Sequence, residues 1–189
     1  MINKTILIFL LSFQFSYFLG QNKNSRWNNE DYTIHNYKSF QKLEMIHQEI
    51  NRNNIDNNLL NAAIFYATNI QRSKYKRDAF IHSKSLEKAA QGHSEDMVKF
   101  NFYSHTSKVK GKKTMSNRLK NEGIVNAYMA ENIFDFFLTN PTYWTLAIGL
   151  VDGWMKSKGH KANILNKDLI YLGCGSKYYL NKQFPDYFY

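Results

Sequence analysis

The sequence predicts a single domain of α+β class, with helices and a small sheet in separate layers. Two observations lead there. Apolar residues recur at helical spacing in three stretches, within residues 59–70, 86–97 and 147–154. Short, aromatic, glycine-punctuated segments gather near the C-terminal end, so helices precede most strands, which suits layers better than alternating βαβ units. The chain has 189 residues, enough for one domain with a substantial core. Its 43% hydrophobic and 21% charged residues exclude a disordered chain, and 16% aromatic residues predict a core rich in rings.

The elements follow in order. Lys4, an apolar run from Ile6 to Leu19 broken by Ser12, Gln14 and Ser16, and then Gly20 before a polar stretch predict a cleavable secretory leader over residues 1–20. The run is too interrupted for a membrane span of roughly 20 apolar residues, and no later segment is long and apolar enough. Residues 21–55 read as a polar extension, partly helical or disordered. Within it Phe40, Leu43, Ile46, His47 and Ile50 suggest one short amphipathic helix.

The domain proper is expected over residues 56–189. Asp56 is a start signal for a helix with Leu59, Ala62, Ala63, Tyr66, Ala67 and Ile70 on its apolar stripe, broken by charge from Lys74 to Arg77. Ser83 is an N-cap type for a second helix. Leu86, Ala90, His93 and Met97 share one face of it, so His93 reads as a core histidine, while His82 reads as surface. Thr114–Asn121 predicts a short helix with Met115, Arg118 and Leu119 inward, and Tyr128–Ile133 an extended segment. A third long helix spans about Thr142–Ser157, with Pro141 in its first turn and Gly159 to end it. Leu169–Tyr179 predicts a strand, paired antiparallel with Phe184–Tyr189 across an Asn181–Lys182 turn.

The formal charge is +10, and its densest cluster is Lys108, Lys110, Lys112 and Lys113 around Gly111. Such a balance favours solubility and contact with anionic surfaces. Tyr103 alone is too little aromatic interleaving to predict nucleic-acid binding. The single cysteine, Cys174, permits no internal disulfide and reads as a buried thiol. The Gly111-Lys-Lys-Thr114 run lacks the upstream glycine of a phosphate loop, and no Gly-x-Ser-x-Gly elbow accompanies Ser104 or Ser157.

Four landmarks occur in order: Leu86-Glu-Lys-Ala-Ala-Gln-Gly-His93-Ser-Glu-Asp-Met97; Asn101-Phe-Tyr-Ser-His105-Thr-Ser107; Ala130-Glu131-Asn132-Ile133; and Trp154-Met-Lys-Ser157-Lys-Gly159-His160-Lys-Ala-Asn163-Ile-Leu165, followed by Leu172-Gly-Cys-Gly175. Together they resemble the CAP (SCP-like) superfamily of cysteine-rich secretory, antigen 5 and plant pathogenesis-related proteins, and especially its bacterial branch. The resemblance implies an α-β-α sandwich, a small antiparallel sheet between helix layers, and a cleft with two His and two acidic residues. The two histidines fall on His105 and His160 and one acid on Glu131. The other acidic position falls on Ser157, a departure that bacterial members commonly share and that puts two-carboxylate schemes in doubt.

The expected cleft cluster is therefore His105, Glu131, His160, Ser157 and Asn132, with Asn132 and Asn163 as loop-fixing groups. Two imidazoles beside a carboxylate can bind zinc, exchange protons near neutral pH, or hold loops together by hydrogen bonds. Two functions follow from the resemblance. One is an exported binding module for a lipid, glycan or protein partner. The other is a metal-dependent hydrolase or peptidase with His105 and His160 as zinc ligands and Glu131 as catalytic base.

Overall fold

The computed structural model describes residues 26–179 and the backbone of 187–188. The expected leader at 1–20 and the Asn181–Lys182 turn lie outside the described residues. The elements in chain order are α1 (Asp31–Ile34), α2 (Tyr37–Phe40), a 3-10 turn (Glu44–His47), α3 (Asn57–Lys74), β1 (Ile81–His82), α4 (Lys84–Lys99), α5 (Met115–Asn121), β2 (Phe136–Phe137), α6 (Tyr143–Lys156), α7 (Lys158–Leu165), β3 (Tyr171–Leu172), β4 (Tyr178–Tyr179) and β5 (Tyr187–Phe188). Helices dominate, and the strands are short pieces among them, an α-β-α arrangement. Among the described residues no helix is long and apolar enough to cross a membrane.

Helix α3 is the centre of the molecule. The Asp56 carboxylate caps it by accepting from the Leu59 N–H at 3.0 Å. Every residue from Leu59 to Asn69 is buried, so the helix is enclosed on all sides. It packs on α6, whose Leu146, Ala147, Leu150 and Val151 are buried. Thr142 and Thr145 start α6 with a reciprocal capping box. Pro141 stands before that cap, outside the helix, where its carbonyl accepts from Ile50 N–H at 2.9 Å. Arg72 of α3 is buried and ties distant chain together. Its Nε donates to Asp78 O (2.6 Å), and its Nη1 to Ile164 O (2.7 Å) and Asn166 O (2.9 Å).

The second long helix starts as expected, with the Ser83 hydroxyl accepting from Leu86 N–H. His93 and Met97 are buried on its inner face. The third long helix stops earlier than Gly159. Ser157 turns to extended backbone (φ −88°, ψ 126°), and Gly159 lies inside α7, which starts at once.

Residues 26–55 share the main core: Trp27, Phe40, Ile46 and Ile50 are all buried there. The helix suggested over Phe40–Ile50 is broken, because Leu43 is extended (φ −71°, ψ 124°) between α2 and the 3-10 turn. His82 is likewise not a surface residue. Tyr32 stacks on its ring at 3.6 Å, and both donate to Glu87 Oε2 at 2.9 Å. The N-terminal segment thus covers the start of α4.

The strand expected over Leu169–Tyr179 is two strands. β3 pairs with β1 in parallel, while β4 pairs antiparallel with β5, which also pairs with β2. Between them Gly173 and Gly175 press against α4. A Cβ on Gly173 would overlap the backbone of Leu86 and Glu87, and one on Gly175 that of Ala90 and Gln91. Both glycines are required by this close approach. Cys174 between them is buried, and burial pushes its thiol up, which leaves it inert.

Two glycine substitutions should therefore act in opposite directions. Gly173→Ala should cost about 2 kcal/mol or more by overpacking against helix backbone. Gly159→Ala, which meets nothing within 4 Å, should stabilise α7 by roughly 0.5–1 kcal/mol. Urea unfolding of both variants measures this.

Candidate functional site

The site begins with a buried arginine. Thr114 and Asn117 cap α5 reciprocally, which sets the helix so that Arg118 and Leu119 point inward. A guanidinium cannot shed its charge, so burial obliges it to find acceptors. Arg118 finds them on three sides. Its Nη1 donates to the carbonyls of His105 (3.2 Å) and Lys112 (3.3 Å), and its Nη2 to Glu131 Oε2 at 2.5 Å.

Glu131 is thereby fixed, and its second oxygen faces the other way. Oε1 accepts from His105 Nδ1 at 2.8 Å. The pairing puts the proton on Nδ1 and leaves Nε2 as the bare nitrogen of the neutral ring. The His105 side chain is 55% exposed, whereas that of Arg118 is 3% exposed. A buried cation therefore holds a carboxylate, which holds an imidazole at the surface.

His93 supports the same loop from beneath. It is buried, and its Nε2 donates to Ser104 O at 3.0 Å, one residue before His105. Burial first, and the Arg118 charge second, hold this imidazole below the ordinary histidine value, so it stays neutral. His160 comes from α7. Asn132 Nδ2 donates to the His160 carbonyl at 3.1 Å, and Asn163 Nδ2 donates to Asn132 Oδ1 at 2.9 Å. The two asparagines join the loop next to Glu131 to α7. Burial, and then the charge of His105, hold the His160 imidazole below the ordinary histidine value.

Ser157 forms the joint between α6 and α7, three residues before His160, and its hydroxyl makes no cap bond to α7. Sequence reasoning assigned Arg118 an inward position but no role. The signal was a charged residue on the same face as Met115 and Leu119, which demands a buried acceptor.

Among the described residues no group of three or more His, Cys, Asp and Glu side chains is placed to hold a metal ion. Glu131 has one oxygen on His105 and the other on a guanidinium, whose charge opposes a cation beside it. His105 and His160 remain as two nitrogen donors, short of the three protein ligands of a catalytic zinc site. As arranged, these residues do not match the zinc centre of a metal-dependent hydrolase.

The fold is a helix-rich α-β-α domain. The family model described as "CAP: Cysteine-rich secretory protein family" matches residues 65–189, and the chain belongs to that family. It is similar to two Bacillus subtilis proteins: the uncharacterized membrane protein YlbC, 36% identical over 59% of this chain, and the uncharacterized protein YkwD, 31% identical over 57%. The chain matches only 30% and 38% of those relatives' lengths. Among solved structures it is similar to an extracellular protein containing an SCP domain from Bacillus anthracis. The TM-score is 0.51 and the identity 25%, over 71% of this chain and 40% of that one.

Two predictions follow from the geometry. Arg118→Met should cost about 3 kcal/mol in chemical denaturation, because it strands Glu131 beside a buried face. His105→Ala removes the imidazole whose interaction, after burial, holds His160 low, so the His160 imidazole should titrate higher than in the parent protein, as followed by proton NMR.

Proposed function

We propose that the chain is an exported binding module that recognises an anionic cell-surface glycan through the face centred on His105 and His160. The observation that supports this reading is the shared anchor. Arg118 holds Glu131 under His105 and, with the same guanidinium, holds the backbone of the lysine loop at Lys112. Lys108, Lys110 and Lys113 are exposed on that loop. An imidazole nitrogen able to accept from a sugar hydroxyl is thus set beside a basic rim able to attract phosphate or carboxylate groups.

The pairing of Glu131 favours binding over catalysis. Both oxygens of its carboxylate are already occupied, one accepting from the Arg118 guanidinium and the other from the His105 imidazole. Its role is to orient His105. The likeness to an extracellular SCP-domain protein and the basic charge support an extracellular setting.

Calorimetry with a soluble poly(glycerol phosphate) and with a neutral glucan tests the reading. Binding of the anionic polymer should weaken steeply with salt, by about tenfold or more in Lys108→Gln/Lys110→Gln/Lys113→Gln, and also in His105→Ala. Equal binding of the neutral polymer, or binding indifferent to both variants, contradicts it.

A further inference from the structure

The buried Arg72 joins the loop after α3 to the segment after α7, and the surface around this junction is apolar. Tyr75, Ile81, Tyr128, Ile170 and Tyr171 are each between 47% and 70% exposed. Printed contacts make them one face rather than scattered positions. Lys161 Nζ of α7 lies 4.8 Å over the Tyr75 ring. Asn166, whose carbonyl Arg72 holds, donates through Nδ2 to Tyr128 Oη at 3.1 Å. Ile81 N–H donates to Ile170 O at 2.9 Å, and Ile81 is the strand partner of Tyr171. Large apolar groups gathered this way mark an interaction surface.

Two features say what kind of partner fits. The first is charge. Lys74, Lys76, Arg77 and Lys167 are exposed around this face and Lys161 is half-buried in it, against Asp78 and Asp168 alone. Such a rim attracts carboxylates. A second copy of the chain would set the same cations against one another.

The second is an open strand edge. Ile81 and Ser83 donate to the carbonyls of Ile170 and Leu172, so by alternation the main-chain N–H and C=O of Tyr171 point away from β1. The sheet has only these two strands, and among the described residues neither outward group of Tyr171 has a hydrogen-bond partner. The β1 side is less open, because His82 lies under the ring of Tyr32. An unpaired edge is a template for another strand. A lipid surface could meet the cations and the apolar groups, but it has no main chain to pair with this edge.

We propose that this face docks an extended, acidic segment of a partner protein, which adds as a strand beside β3. Its main chain pairs with Tyr171, its apolar side chains lie on the exposed rings and isoleucines, and its carboxylates meet Lys167 and the loop after α3. The face is built from residues other than those of the His105 site and does not depend on the reading of that site.

Titration of the isotope-labelled protein with a capped peptide alternating glutamate and valine, followed by amide NMR and calorimetry, tests the proposal. The peptide should shift the amide signals of Tyr171 and its neighbours. A lysine–valine peptide, and the fully N-methylated form of the acidic peptide, should each bind at least about tenfold more weakly. Ile81→Ser/Ile170→Ser and Lys74→Gln/Arg77→Gln/Lys167→Gln change exposed side chains only. Each should weaken the acidic peptide by about tenfold while the circular dichroism spectrum and poly(glycerol phosphate) binding stay unchanged. No binding of the acidic peptide, equal binding of either control peptide, or binding unchanged in both variants overturns the proposal. Association with phosphatidylglycerol vesicles that is lost in both variants, without peptide binding, makes the face membrane-directed and also overturns it.

Discussion

A guanidinium that cannot lose its charge is buried at Arg118, and the arrangement of the site is the set of ways that charge is answered. One carboxylate oxygen and two backbone carbonyls meet it. Those three acceptors come from three separate stretches of chain: the loop of His105, the lysine loop and the segment of Glu131. Each is irregular backbone with little ladder hydrogen bonding of its own, so each depends on an external anchor for its position. Arg72 answers the same problem on the other side of the molecule, where it holds the carbonyls of Asp78, Ile164 and Asn166. Two buried arginines thus do for the loops what strand ladders do in sheet-rich domains, which matters here because every strand among the described residues is two residues long.

The helices were legible in the sequence because their signals are local. Asp56 and Ser83 precede apolar stripes and prove to be caps, while Thr142, read as the start of the third long helix, is its cap. His93 read as a core residue from its place on a stripe, and it is buried. The family landmarks then supplied His105 and Glu131 as neighbours, which no spacing rule joins across 26 residues. What the sequence did not disclose is long-range. The glycines at 173 and 175 looked like punctuation of one strand, yet they mark the approach of backbone to α4, and so the strand is split. Gly159 looked like a helix stop, whereas Ser157 makes the break. Phe40, Ile46 and Ile50 were correctly apolar and buried, but the path between them includes an extended Leu43 that periodicity cannot reveal.

The N-terminal segment gained most from the structure. Trp27, Tyr32 and Phe40 join Tyr66 and Phe65 in a cluster of stacked and edge-on rings. Tyr32 also closes over His82 and Glu87. The single cysteine, buried and free, allows no disulfide within the chain, although the family is described as cysteine-rich.

The central claim is that Arg118 and Glu131 hold His105 with Nδ1 protonated and Nε2 bare. Long-range nitrogen–proton NMR of the histidine rings at about pH 8 tests it most directly, since it distinguishes the two neutral tautomers. The account predicts the Nδ1–H form at His105, reverting toward the ordinary tautomer mixture in Glu131→Gln. A His105 ring in the Nε2–H form in the parent protein contradicts it.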